Sequence, residues 1–230
     1  MTLPNDASPR HDFLGALAHE VPSFGPAPIL VGIDGVDGSG KSIFAQDFAR
    51  ALRRIGRPAV VIHADDFLNL RAVRHRLGRD SPEGFWLHSY DYGALRRDVL
   101  EPLSSHGSGL YRNRSTDLNL DKWIEVDYEQ ALAETVVIVE GMFLHRDELV
   151  NFWTYSVFLD VPFIETAARM SRRDGSHADP QHPSMHRYVE GQRIYFRSCQ
   201  PWTRATRIVD NADWNNPHFI EAAQAASTDR

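Results

Sequence analysis

Short apolar runs separated by amphipathic stretches give this chain its rhythm. Ile29–Ile33, Ala59–His63, Thr135–Val139 and Ser156–Asp160 are nearly continuous in apolar character and too short for helices, which predicts strands buried on both faces. Ala205–Val209 reads as a fifth. After the first run, Phe44, Ala45, Phe48, Ala49 and Leu52 recur at helical spacing. Further helices are expected over His11–His19, from Pro162 through Met170, over Met185–Ser198 and after Asn211-Ala212-Asp213. Strands alternating with helices predict right-handed crossovers and a parallel sheet. The expected fold class is therefore α/β, a three-layer sandwich around a five-stranded, mostly parallel sheet.

Two regions break the alternation. Asn69 to His88 is arginine-rich and irregular, Tyr92 to Leu103 carries apolar residues at helical spacing, and Leu110 to Val126 is a polar excursion with hairpin character. Arg172 to Pro183, rich in Asp, His, Gly and Pro, reads as a loop. Residues 1–27 look like a peripheral N-terminal extension and 28–230 like one domain, within the size range of a single core.

Composition narrows the partners. The chain has 230 residues, 42% hydrophobic and 24% charged, with a formal net charge of −6, which argues against nucleic acid as a partner. The lone Cys199 and the polar first ten residues predict a reducing cytoplasmic location without a signal peptide. No apolar run is long enough for a membrane span, so no membrane partner is expected. Homo-oligomerisation stays open. Of the 25 basic residues only two are lysines, and one of them is Lys41.

That lysine sits in Gly35-Val36-Asp37-Gly38-Ser39-Gly40-Lys41-Ser42, which fits G-x-x-x-x-G-K-[ST] between a strand and a helix. The glycines let successive amides curl around phosphate oxygens, and the helix N-terminus adds its dipole. This predicts a P-loop NTPase fold, with Gly35 through Ser42 binding nucleotide, Lys41 on the β- and γ-phosphates and Ser42 on magnesium. In a parallel sheet, ligands gather at the carboxyl ends of strands. Asp65-Asp66 and Glu140 stand at two such ends. Asp65, first after its strand, is the expected base for an attacking hydroxyl, and Glu140 the expected organiser of the metal. Arg169, Arg172 and Arg173 suggest a lid closing over the transferring group, with Arg169 and Arg173 neutralising its charge. The irregular regions then become an acceptor-binding segment, 68–127, and a lid, 172–186.

These residues resemble the uridine kinase and phosphoribulokinase family of P-loop kinases. The likeness rests on Gly32 to Ser42, on His63-Ala64-Asp65-Asp66-Phe67, on Val139-Glu140-Gly141-Met142-Phe143, on Arg169 to Asp174 and on Ile208-Val209-Asp210-Asn211. It implies transfer from ATP, with Mg²⁺, to a primary hydroxyl of a small-molecule acceptor, uridine or cytidine foremost. It further implies Asp65, Phe67, Asp91, Tyr111 and Arg172 as substrate contacts. Alternatives are another metabolite such as pantothenate or a sugar phosphate, or a regulatory NTPase that transfers to water.

Overall fold

Six strands form the central sheet of the computed structural model, which describes residues 8–22, 25 and 27–227. They are β1 (Ile29–Gly35), β2 (Ala59–His63), β3 (Val136–Gly141), β4 (Tyr155–Asp160), β5 (Arg207–Asp210) and β6 (His218–Ile220), in the order β6-β5-β4-β1-β3-β2. All neighbours are parallel except β6, which pairs antiparallel with β5. The expected five-stranded parallel core is present, and β6 is an addition. Three residues long, with Phe219 partly exposed, it has too little apolar alternation to be read from sequence.

Helices cover both faces. α1 (Pro9–Glu20) and α2 (Lys41–Arg54) lie on one side, and α4 (Phe163–Asp174) and α5 (His186–Cys199) on the other. α3 (Pro82–His88) packs on α5, and α6 (Ala222–Ser227) closes the described chain. Side-chain parity in β1 divides the core: Ile29, Val31 and Ile33 meet Leu14, Leu17, Phe44 and Phe48, while Leu30 joins Phe158, Phe163 and Tyr195. That alternation makes the sandwich three-layered.

Several expectations change. α1 is not peripheral: Leu14, Leu17 and Ala18 are buried against α2, so the extension contributes to the domain core. Its start is fixed by the Ser8 side chain, which accepts from the His11 amide at 3.2 Å, and by Pro9 in the first turn. Residues 1–7 of the expected extension lie outside the described residues. The irregular stretch contains a helical turn at Arg71–Arg74 and all of α3, whose cap is Ser81. The expected loop after Met170 begins only at Gly175, since α4 runs through Asp174 and ends on that left-handed glycine (φ 77°). In the excursion, Leu110–Tyr111 pairs with Glu129–Gln130 and Thr116–Asp117 with Lys122–Trp123.

Candidate active site

Register delivers the polar groups. Ile33 of β1 pairs with Glu140 of β3, and Glu140 pairs with His63 of β2. Glu140 and His63 therefore stand in one row, two residues short of the end of β1 at Gly35, where the glycine-rich loop begins. The sequence places Asp65 two residues beyond His63, in a tight helical turn over Ala64–Phe67. A cleft of about 670 Å³ opens here, lined among others by Asp37, Lys41, Ser42, Asp65, Glu140 and Trp214.

The loop is shaped for an anion. Gly38 and Gly40 have φ of 78° and 90°, a conformation that side chains rarely adopt. A Cβ at Gly38 would also stand 2.7 Å from the Thr166 carbonyl oxygen, so α4 packs directly on the loop. Among the described residues, the amides of Gly38, Gly40, Lys41 and Ser42 have no protein acceptor, which leaves them for phosphate oxygens at the positive end of α2. The Asp37 amide is different, donating to Gln192 Oε1 of α5 at 2.7 Å. Lys41 Nζ donates to the Val36 carbonyl at 2.9 Å, a contact the ammonium can exchange for phosphate.

Ser42 and Glu140 are joined across the cleft floor. The Ser42 hydroxyl donates to Glu140 Oε1 at 2.9 Å, and His63 Nδ1 lies 2.5 Å from the same oxygen. Hydrogen bonding to Glu140 raises the His63 pKa above its ordinary value, against the opposing effect of burial. A hydroxyl and a carboxylate are hard oxygen donors of the kind magnesium takes with phosphates and water. The donor set at Ser42 and Glu140 fits that ion.

Asp65 reaches the surface of the cleft, yet protein atoms crowd its carboxylate on the remaining sides. This crowding raises its pKa, while the Tyr90 hydroxyl and the Lys41 charge pull it back. Tyr90 OH donates to Asp65 Oδ1 at 2.7 Å. Asp66 does not line the cleft; its carbonyl accepts from the Ser115 amide at 3.0 Å and so anchors the excursion.

The arginines divide. Arg169 lines the cleft but donates to the carbonyls of Ser39 (3.3 Å), Asn211 (2.9 Å) and Ala212 (2.7 Å), so it braces the loop against the segment after β5. Arg173, half-exposed at the cleft, pairs with Asp174 at 2.7 Å and lies 3.5 Å from Asp37. Arg172 is outside the cleft lining and donates to the Ala168 carbonyl of its own helix at 3.1 Å.

The remaining expected substrate contacts are internal. Phe67 is fully buried in the core. Asp91 caps the turn Tyr92–Leu95 by accepting from the Ala94 amide at 2.9 Å. Tyr111 is buried and donates to Glu129 Oε2 at 2.9 Å. None of the three lines the cleft. Sequence reasoning missed Tyr90 as the partner of Asp65, together with His63, Gln192 and Trp214. His63 stood in a quoted motif without a role, and the other three carried no local signal of their partners.

Beneath the loop lies a buried network that the sequence did not announce. Asp34 and His145 have no exposed surface. Asp34 Oδ1 accepts from the Gly35 amide at 2.7 Å, and its Oδ2 lies 2.8 Å from His145 Nδ1 and accepts from the Tyr195 hydroxyl. α5 thus holds the loop twice, through Gln192 directly and through Tyr195 and Asp34.

The chain has an α/β fold, a mostly parallel sheet with a glycine-rich loop between β1 and α2, and solved structures share that fold. A "possible uridine kinase" from Bacillus stearothermophilus superposes with a TM-score of 0.67 at 24% identity, covering 86% of this chain and 96% of that one. A "putative fructose transport system kinase" from Silicibacter sp. TM1040 gives 0.59 at 24% identity over 82% and 94%. The YGR205w protein gives 0.58 at 13% identity over 94% and 100%. At these identities the likeness establishes the fold. No protein-family model matches the chain, and a search of curated proteins found no match. Among the described residues, no helix is long and apolar enough to cross a membrane.

Proposed function

We propose that this chain is a P-loop small-molecule kinase that transfers the γ-phosphoryl group of ATP to an acceptor hydroxyl. One observation carries the reading: the anion-shaped loop, the Ser42–Glu140 pair and Asp65 open into a single cleft. Kinase neighbours of the same fold support it.

In this reading the free amides and Lys41 hold the phosphates, and Ser42 and Glu140 hold magnesium. Magnesium, when held there, would supply positive charge that offsets the charge of the phosphates. Asp65 accepts the proton of the attacking hydroxyl, and its raised pKa makes it a better base than an ordinary aspartate. Arg173 is the mobile cation for the developing charge, because its present partners are exposed and exchangeable. Arg169 keeps the loop in shape.

A pyrimidine nucleoside is the finer acceptor assignment. It rests on the resemblance and on the name of one neighbour. Of the five contacts it carried over, Phe67, Asp91 and Tyr111 are engaged in internal structure. Labelled ATP offered with uridine, cytidine and other hydroxyl metabolites tests both levels. Transfer to an acceptor supports the kinase; phosphate release to water that no acceptor accelerates would replace it with the NTPase reading.

A further inference from the structure

The peptide that joins Val36 to Asp37 is held from both edges. Its carbonyl accepts from Lys41 Nζ at 2.9 Å and from the Ser39 amide at 3.1 Å, and its N–H donates to Gln192 Oε1 at 2.7 Å. The two edges differ in permanence. Lys41 is the residue that phosphates would draw away, and its departure leaves the carbonyl edge with the longer Ser39 contact. The Gln192 contact stands outside that exchange, since Gln192 is 3% exposed and does not line the cleft. With nucleotide bound, Gln192 is therefore the main restraint on this peptide plane.

Gln192 is itself fixed. Its Nε2 donates to the Tyr188 carbonyl at 2.9 Å, one turn earlier in α5, which leaves Oε1 facing the loop. The helix that carries it has little freedom to turn or slide. A Cβ at the neighbouring Gly191 would stand 2.7 Å from a ring carbon of Phe85 and 2.9 Å from the Pro82 carbonyl oxygen, so α5 and α3 touch directly. Phe85 packs edge-on against Tyr188, with ring centroids 5.2 Å apart. Arg187, at the start of α5, donates to the Arg79 carbonyl at 2.6 Å and ties down the chain ahead of α3. What the peptide carries matters to the reaction. Asp37 lines the cleft with its carboxylate 3.5 Å from Arg173, and the field of that carboxylate reaches Asp65. A rotated peptide would shift Asp37 relative to both.

We infer that Gln192 is a positioning residue for phosphoryl transfer, locking the Val36–Asp37 peptide in place while Lys41 leaves it for the phosphates. Buried outside the cleft, it acts through the loop. Its loss should slow the transfer step with little effect on nucleotide affinity, because the free amides of Gly38, Gly40, Lys41 and Ser42 do not bond to it. This deepens the kinase reading and rests on it for the identity of the step.

Two variants test it. Q192M preserves length and removes both hydrogen-bonding groups. Q192E keeps an oxygen for the Asp37 amide, and its neutral form keeps a donor for the Tyr188 carbonyl. Single-turnover loss of the γ-phosphoryl group from Mg-ATP is measured with the acceptor panel and with water alone, beside calorimetric Mg-ADP binding and melting temperature. Q192M is expected to lose about tenfold or more in rate, with the Mg-ADP dissociation constant within about threefold of wild type. Q192E should recover rate, and its ratio to wild type should rise as pH falls and the buried carboxyl becomes neutral. A Q192M rate equal to wild type, a rate loss matched by an equal loss of Mg-ADP affinity, or no recovery in Q192E at any pH overturns the inference. Hydrogen exchange at the Asp37 amide with Mg-ADP bound needs no transfer. It should be about tenfold faster in Q192M than in wild type, and an unchanged exchange rate also overturns the inference. Absence of phosphoryl loss from wild type under every condition counts against the kinase reading, while the exchange arm still decides whether Gln192 locks the peptide.

Discussion

The Tyr90 hydroxyl donates to Asp65 Oδ1 at 2.7 Å, tying the expected base to a residue 25 positions later in the chain. Burial and the neighbouring carboxylate keep the tyrosine well above its usual pKa, so it remains a donor. It fixes one oxygen of Asp65, favours the ionised form and leaves the other oxygen for a substrate hydroxyl. Replacing Tyr90 with Phe removes a stabiliser of the charged form, so the Asp65 pKa rises further. Because the base acts only when ionised, the acid limb of kcat/KM moves to higher pH. A pH–rate profile of wild type and Y90F checks this, and an unmoved limb would contradict the assignment.

Asp65→Asn keeps the shape and removes the proposed base. Turnover is expected to fall by about 10²–10⁴-fold, with the Mg-ATP dissociation constant within about twofold of wild type. Single-turnover kinetics and equilibrium binding read the two quantities separately. Weakened nucleotide binding with intact turnover would assign Asp65 to the nucleotide instead.

Ser42→Ala and Glu140→Gln test the proposed metal pair. Each should raise the magnesium concentration needed for half-maximal activity, and excess EDTA should abolish transfer in wild type. A magnesium titration at fixed total ATP measures the shift. An unchanged requirement in both variants would remove this pair from the metal site.

Tyr195→Phe deletes one donor to a fully buried carboxylate. A loss of about 1–3 kcal/mol is expected from urea unfolding. Asp34 also receives the Gly35 amide at 2.7 Å. Nucleotide affinity should therefore fall along with stability, whereas a variant destabilised elsewhere would lose stability alone.

Phe48→Ala opens the core between α2 and β1, where Phe48 has no exposed surface. Chemical denaturation should give a loss of about 3–5 kcal/mol.

How much of this was legible beforehand follows from the range of each interaction. The strands announced themselves because apolar runs need no partner to be recognised, and β2 appears with the bounds first read. The loop announced itself because its glycines, lysine and serine act through local backbone geometry, visible in φ of 78° at Gly38 and 90° at Gly40. Asp65 and Glu140 could be chosen because strand ends in a parallel sheet share one edge. β6 escaped notice because three residues carry no period.

The side chains around those groups were another matter. The family resemblance implied Phe67, Asp91 and Tyr111 as substrate contacts, but a core pocket, a helix cap and Glu129 engage them. Arg169 looked like a lid cation, yet loop carbonyls occupy its guanidinium. Sequence by itself determined the chain's periodicities and its glycine-rich turn, since both are properties of neighbouring residues. Which distant side chains meet was decided only by packing: Tyr90 on Asp65, Gln192 and Tyr195 beneath the loop, Arg187 across the arginine segment. Such pairings join residues up to 161 positions apart, and their register depends on how the layers of the sandwich stack.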